Sequence, residues 1–256
     1  MGEAILSVQD LCLTLQGTQI LHDISFQLER GACHSILGPN GAGKSSLLKC
    51  LNRIQQNYSG DVFIEGCDSR SLTQRQIAQR IAFVSQRHGV QANYQVQEFL
   101  LLSRFARHKA WHKNDAKDRE ALEFAVENTG ISAFLQRDLP SLSGGEQQKV
   151  FIAAALMQQS PILLLDEPAT FLDPRYQKQI NEMLLKLKKQ RRLTILQVTH
   201  DINAAAQLSD RLFLLKDSRL LQEGSPAQLI NAKTMQGLFD SNFSCLSKPD
   251  GSKVII

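Results

Sequence analysis

The sequence of 256 residues lacks the marks of several broad classes. Its longest uninterrupted apolar run, Val150 through Met157, is eight residues, where a bilayer-spanning helix needs about 20. The opening Met1-Gly2-Glu3-Ala4-Ile5 has no basic region followed by an apolar stretch, so no secretory signal is expected. The five cysteines (Cys12, Cys33, Cys50, Cys67 and Cys245) form no Cys-x-x-Cys pair, and an odd count fits reduced thiols better than a disulfide framework. Positive residues barely outnumber negative ones, 29 to 25. A formal net charge of +4 is too small, by itself, to argue for a nucleic-acid binder.

What is present is an ordinary globular composition: 43% hydrophobic and 21% charged residues exclude a disordered or collagen-like chain. At about 150 residues per domain, the length allows one large domain or two small ones. Segments 5–15 and 24–28 alternate as half-buried strands do. Segment 33–37 is short and mostly apolar, and it stops at Gly38-Pro39-Asn40-Gly41. Residues 44–54 carry Leu47, Leu48, Leu51 and Ile54 at the spacing of a helix face. Strands are expected at 61–65 and 81–85, with a polar helix over 73–80 between them. Across 95–136 apolar residues recur every three or four positions (Phe99, Leu102, Phe105; Leu122, Ala125, Val126), which predicts a helical subdomain inserted into an α/β core. From Pro161 onward, strands at 162–165, 193–198 and 212–215 alternate with helices at 176–189 and after Asp201. That rhythm implies a largely parallel, buried sheet.

Three local patterns carry chemistry. Gly38-Pro39-Asn40-Gly41-Ala42-Gly43-Lys44-Ser45 fits the phosphate-loop pattern, with a buried strand before it and a helix after it. Glycines let the backbone turn its N–H groups around phosphate oxygens, and a helix start adds a favourable dipole. Lys44 is placed to reach the β- and γ-phosphates, and the Ser45 hydroxyl to ligate Mg²⁺. In the second pattern the apolar run 162–165 ends in Asp166 and Glu167, two carboxylates at the carboxyl end of a parallel strand, where such folds bind ligands. Asp166 suits Mg²⁺ held through a water, and Glu167 suits the attacking water of a phosphoryl transfer. The third pattern, Leu142-Ser143-Gly144-Gly145-Glu146-Gln147, physically reads only as a cap opening a helix over 146–158.

That third pattern resembles the signature of the ABC ATPase family, whose other elements occur here in order: Gln86 after strand 81–85, Leu172-Asp173 after the carboxylates, and His200 after strand 193–198. The match covers nearly the whole chain. The resemblance implies a phosphate-loop NTPase core (1–86 and 161–256) with an N-terminal antiparallel β subdomain, and an inserted helical subdomain (87–160) that carries the signature. It implies ATP and Mg²⁺ as ligands, with residues Gly38 through Ser46 around the phosphates. It also implies a head-to-tail homodimer with ATP between Lys44, Ser45, Asp166 and Glu167 of one subunit and Ser143 and Gly145 of the other. Asp173 belongs to the same nucleotide site, Gln86 links metal and water to the helical subdomain, and His200 contacts the γ-phosphate. The implied partners are two integral-membrane permease subunits and an extracytoplasmic solute-binding protein, with no nucleic acid, and the implied place is the cytoplasmic face of the inner membrane.

Residues 77–86, 96–99, 103–105 and 200–205 are similar to stretches of ATPases from iron–siderophore, haem and cobalamin importers. Related importers share parts of these stretches, and an exporter subunit stands as the nearest alternative. A soluble nucleic-acid-handling ABC ATPase usually carries long coiled coils between phosphate loop and signature, and only 99 positions separate Lys44 from Ser143. A translation-associated ABC protein normally carries two sets of these motifs, against one here. Two departures stand out. Leu15 and Gln16 occupy positions where the family often has an aromatic to stack on adenine, with Phe26 or Tyr58 as alternative sources of a ring. Ala153-Ala154-Ala155 replace an arginine often found after the signature. His22, His34, His88, His108 and His112 read as structural, and Lys186 to Arg192 as a solvated helix end. Phe99, Phe105 and Trp111 place apolar bulk in a charged segment that suits contact with a permease or packing in the core. After Asp240 a Pro249-Asp250-Gly251 turn is expected between two strands.

Overall fold

Two strands of 12 residues open the chain, β1 (Ala4–Leu15) and β2 (Thr18–Glu29), paired antiparallel with Leu15 opposite Thr18. Only Gln16 and Gly17 connect them, both with positive φ (49° and 79°), the conformation of a two-residue hairpin turn whose twist matches its strands. Alternation buries Leu6 and Val8, and beyond an irregularity between Val8 and Leu11 the chain buries Leu11 and Leu13. The chain continues through β3 (Cys33–Leu37), α1 (Lys44–Leu51), β4 (Tyr58–Ile64), β5 (Cys67–Asp68), α2 (Gln74–Ala78) and β6 (Ile81–Val84). It then forms α3 (Val96–Leu102), α4 (Ala116–Thr129), α5 (Gly144–Met157), β7 (Ile162–Asp166) and α6 (Pro174–Lys189). The remainder is β8 (Thr194–Thr199), α7 (Ile202–Leu208), β9 (Arg211–Lys216), β10 (Arg219–Gly224), α8 (Pro226–Leu229), α9 (Ala232–Phe239), β11 (Cys245–Ser247) and β12 (Lys253–Ile255). The computed structural model describes residues 3–86, 93–107, 116–190, 193–247 and 253–255.

These elements form two compact units, one comprising the residues up to Leu72 and from Thr194 on, the other running from Thr73 to Leu193. In the first, β2, β1, β4 and β5 make an antiparallel sheet in that order. A second layer has β3 between β8 and β9, parallel to both, with β10 antiparallel on the outside of β9. All five residues of β3 and all six of β8 are buried, as parallel strands covered on both faces must be. Leu37, Ala205, Leu212, Leu214, Met235 and Leu238 join that layer to α7 and α9. In the second unit β6 and β7 run parallel, with Val84 opposite Leu165. The eight-residue apolar run lies in α5, which is buried along it, including Ala153, Ala154 and Ala155. An arginine at any of these three positions would bring a charge into that packing.

The second unit is tied together by two arginines on the short 3-10 turn Ser103–Arg107. Buried Arg104 pairs with buried Asp118 of α4 and donates to Met157 O at 2.8 Å. Arg107 donates to Gln158 O at 2.9 Å, Gln79 O at 2.8 Å and Gln159 O at 2.8 Å. Together they satisfy carbonyls that the C-terminal end of α5 leaves without helical partners. Burial, reinforced by the neighbouring Arg104 charge, holds the Arg107 pKa below its ordinary value.

Several boundaries differ from the sequence reading. The expected helix over 44–54 stops at Leu51, because Arg53 turns left-handed (φ 56°) and leaves Ile54 exposed. Strands β5 and β10 carry too little apolar alternation to stand out in the sequence; β10 is Arg-Leu-Leu-Gln-Glu-Gly and mostly exposed. His34 is buried with its Nε2 accepting from Glu29 N at 3.3 Å, and His22 Nε2 lies 2.8 Å from Arg219 Nη2, structural positions for both. His88, His108, Trp111, His112, Arg191, Arg192 and the Pro249-Asp250-Gly251 turn lie outside the described residues. The strands flanking that turn, β11 and β12, pair antiparallel.

Candidate functional site

In the first unit the phosphate-loop residues leave the buried strand β3 and wind directly into α1. Gly38 is buried, Pro39 half-buried and Asn40 exposed at the tip, followed by exposed Gly41 and buried Ala42. Gly43, at φ 98°, occupies the N-cap position of α1, and no side chain caps that helix. A Cβ on Gly43 would come within 2.6 Å of Ile20 O, so the position needs glycine for its backbone and for its space. The Lys44 side chain is buried, 5% exposed, and folds back on the loop: its Nζ donates to Gly38 O at 2.8 Å and Pro39 O at 2.9 Å. Ser45 and Ser46 follow on the first turn, both half-buried. In the adjacent parallel strand Thr199 stands opposite Leu37, so exposed His200 leaves β8 at the same level as Gly38 leaves β3. Asp201 beside it caps α7 by accepting from Ala204 N at 2.9 Å.

The second unit carries the carboxylates. Asp166, 3% exposed, is the last residue of β7, and Glu167 follows with its backbone left-handed (φ 49°). The parallel partner β6 delivers Gln86 to the same edge, and Gln86 Nε2 donates to Glu167 Oε2 at 3.0 Å. Thr170 Oγ1 donates to that same oxygen at 2.9 Å, and Thr170 N closes the turn onto Glu167 O at 3.1 Å. The patterns read from the sequence did not include Thr170. Its signal is local: a hydroxyl three positions beyond a carboxylate at a strand end can return to it.

Ser143 is the N-cap of α5 in a reciprocal box. Its Oγ donates to Glu146 Oε2 at 2.9 Å, and its backbone N donates to the same oxygen at 2.8 Å. These backbone and side-chain hydrogen bonds from Ser143 hold the Glu146 carboxyl below the usual carboxylate range. Gly145 is buried against the ring of Tyr176 on α6. Asp173 caps that helix, its Oδ1 accepting from Arg175 N at 3.0 Å and Tyr176 N at 3.1 Å. Between Glu167 and Asp173, Phe171 has φ 64° and is exposed.

Each unit therefore presents a loop or a pair of side chains at the carboxyl ends of its parallel strands, the position where open α/β sheets bind ligands. Residues 21–170 match the family model described as ABC transporter. The chain belongs to the ABC transporter family. Among its relatives, the iron(3+)-hydroxamate import ATP-binding protein FhuC of Bacillus subtilis is 31% identical over 250 residues, covering 98% of this chain and 93% of that protein. The petrobactin import ATP-binding protein FpuC of Bacillus anthracis is 35% identical over 220 residues, covering 86% of this chain and 80% of that one. A dimeric structure of a bacterial ABC transporter cassette superposes with a TM-score of 0.76 at 25% identity, over 86% of this chain and 98% of that one. The α/β architecture with parallel strands and an antiparallel β layer is that of ABC ATPase cassettes. Among the described residues no helix is long and apolar enough to cross a membrane.

Proposed function

We propose that this chain is the ATP-binding and ATP-hydrolysing subunit that powers an importer of iron–siderophore, haem or cobalamin. Two copies would close on two ATP molecules beneath two integral-membrane permease subunits, at the cytoplasmic face of the inner membrane, with an extracytoplasmic solute-binding protein delivering cargo. The division into a core of 1–86 and 161–256 and a helical part of 87–160 belongs to the same reading. The names of the relatives from two Bacillus species support the importer class. The single observation that carries the hydrolytic reading is the Gln86–Glu167 hydrogen bond at 3.0 Å, which links a neutral amide and a carboxylate at neighbouring strand ends.

Glu167 would align and polarise the attacking water, since phosphoryl transfer needs a positioned nucleophile and charge neutralisation more than covalent chemistry. Lys44 and the loop from Gly38 to Ser46 would bind the triphosphate, and His200 the γ-phosphate. Ser143 and Gly145 would meet the nucleotide held by the second copy, near Asp173. The Ser45 hydroxyl, the Asp166 carboxylate and the Gln86 amide oxygen are hard donors that fit Mg²⁺, and the amide oxygen of Gln86 suits this role because its nitrogen is turned to Glu167. When bound, Mg²⁺ would neutralise charge on the β- and γ-phosphate oxygens.

Coupling to a permease would run through the segment from Gln86 to Trp111. Of its aromatic residues, Phe99 packs edge-on against Phe151 at 5.6 Å, whereas Phe105 is 79% exposed. The test is Glu167→Gln. This variant should bind ATP, hydrolyse it about a hundredfold more slowly or worse, and elute as a dimer at saturating ATP. A strictly monomeric protein by gel filtration, or undiminished turnover, overturns the reading.

A further inference from the structure

We propose that Thr170 is a positioning residue for hydrolysis: its hydroxyl fixes the orientation of the Glu167 carboxylate. This rests on Glu167 acting on water, and it adds a residue that neither the motifs nor the family match assigns to the chemistry. Glu167 Oε2 accepts from two directions, Gln86 Nε2 at 3.0 Å and Thr170 Oγ1 at 2.9 Å. Two donors on one carboxylate oxygen restrict the side-chain torsions that either donor alone would leave free to sweep. Gln86 arrives from β6, an element 81 positions away in sequence, whereas Thr170 belongs to the same turn as Glu167. That turn is itself held rigid: Thr170 N donates to Glu167 O at 3.1 Å, and Glu167 adopts a left-handed backbone at φ 49°.

The arrangement has a further chemical logic. Thr170 lies in the same turn as Glu167, so its hydroxyl anchors the carboxylate independently of where β6 places Gln86. A small misplacement of a catalytic group can lower a rate by orders of magnitude without weakening ground-state binding.

The experiment is steady-state ATP hydrolysis by the purified full-length chain carrying Thr170→Val or Thr170→Ser. Valine keeps the shape and the backbone N–H and removes only the hydroxyl; serine keeps the hydroxyl. Thr170→Val should lower kcat about tenfold or more with KM for ATP within about twofold, while Thr170→Ser stays within about twofold of the parent on both. In a Glu167→Gln background, Thr170→Val should have no further effect, because the carboxylate it orients is gone. An unchanged kcat in Thr170→Val, an equal loss in both Thr170 variants, or an undiminished effect in the Glu167→Gln background overturns the proposal and leaves the role of Glu167 intact. Normal turnover by Glu167→Gln alone overturns the role of Glu167 and this proposal with it. If Thr170→Val fails to fold, as read from its thermal transition, Thr170→Ala takes its place with the same criteria.

Discussion

The ring of Tyr176 occupies the space that a Cβ on Gly145 would need. The start of α5 and the first turn of α6 are thereby pressed together at the residues flanking Ser143 and Asp173. The Lys149 ammonium lies 5.6 Å from the same ring's centroid. The second glycine of the signature pattern thus has a packing role in this unit.

Gly145→Ala should destabilise the protein by about 1–3 kcal/mol, because the nearest atoms belong to the body of the ring and cannot swing aside. Combining it with Tyr176→Ala should give a loss smaller than the sum of the two single losses. Urea unfolding of the four proteins measures this; strictly additive losses refute the contact.

Lys44→Ala should abolish tight ATP binding and hydrolysis, since it removes the cation that would compensate charge on the terminal phosphates. It should also lower the stability of the nucleotide-free protein by about 1 kcal/mol or more, because the Gly38 and Pro39 carbonyls lose their donor. Equilibrium binding and denaturant titration check the two effects separately. Near-normal turnover defeats the phosphate-loop assignment.

Nucleotide discrimination should be weak. Leu15 is 37% exposed at the hairpin end and offers no π-face to adenine. The two aromatic alternatives are engaged elsewhere: Phe26 is buried against Phe213 with centroids 4.8 Å apart. Tyr58 lies 3.1 Å from Ser69 Oγ through its hydroxyl, with the Arg70 guanidinium 5.6 Å over its ring. Leu15→Tyr should tighten ATP binding about fivefold, equivalent to about 1 kcal/mol of stacking. Gln16→Tyr should gain less, because position 16 has φ 49°, where a bulky residue is strained. Measured affinities for ATP and GTP decide the matter: an ATP preference of about a hundredfold, about 2.7 kcal/mol, cannot come from phosphate contacts.

Acid should unfold the protein through His34. Burial, offset in part by a backbone hydrogen bond to Ile195 and by the nearby Asp210 and Glu29, lowers its pKa from 6.5 to about 4. Between these values the unfolded chain binds the proton and the folded one does not. The contribution is therefore whole above pH 6.5, is lost as pH falls toward 4, and amounts to about 3 kcal/mol. His34→Phe, which cannot charge, should show a shallower fall in unfolding free energy between pH 7 and 4.5. Parallel slopes for the two proteins would exclude His34 as the cause.

The strand–loop–helix geometry around residues 38–45 was legible because its logic is local: glycines, a lysine and a serine follow one another between a strand and a helix. The position of Asp166 and Glu167 at a strand end was legible for the same reason, since they close an apolar run. The bond between Gln86 and Glu167 was not readable from spacing, since it depends on β6 lying parallel beside β7. The left-handed turn at Arg53 that ends α1 leaves no apolar signature, so the leucine spacing ran on to Ile54. The engagement of Phe26 and Tyr58 was equally hidden, because each ring's partner comes from packing between separate elements: Phe26 in β2 meets Phe213 of β9 in the other sheet, and Tyr58 meets Ser69 and Arg70 in the turn after β5.

The two bonds from Lys44 to its own loop carry a thermodynamic consequence. The ammonium has two carbonyl partners within its own loop, so any phosphate contact it makes is weighed against those two bonds. Affinity then reflects the difference between two sets of acceptors, which is smaller than the full strength of either. The same two bonds tie the side chain that would meet the anion to the backbone of the loop that would surround it, so the cation and its cradle are positioned as one piece.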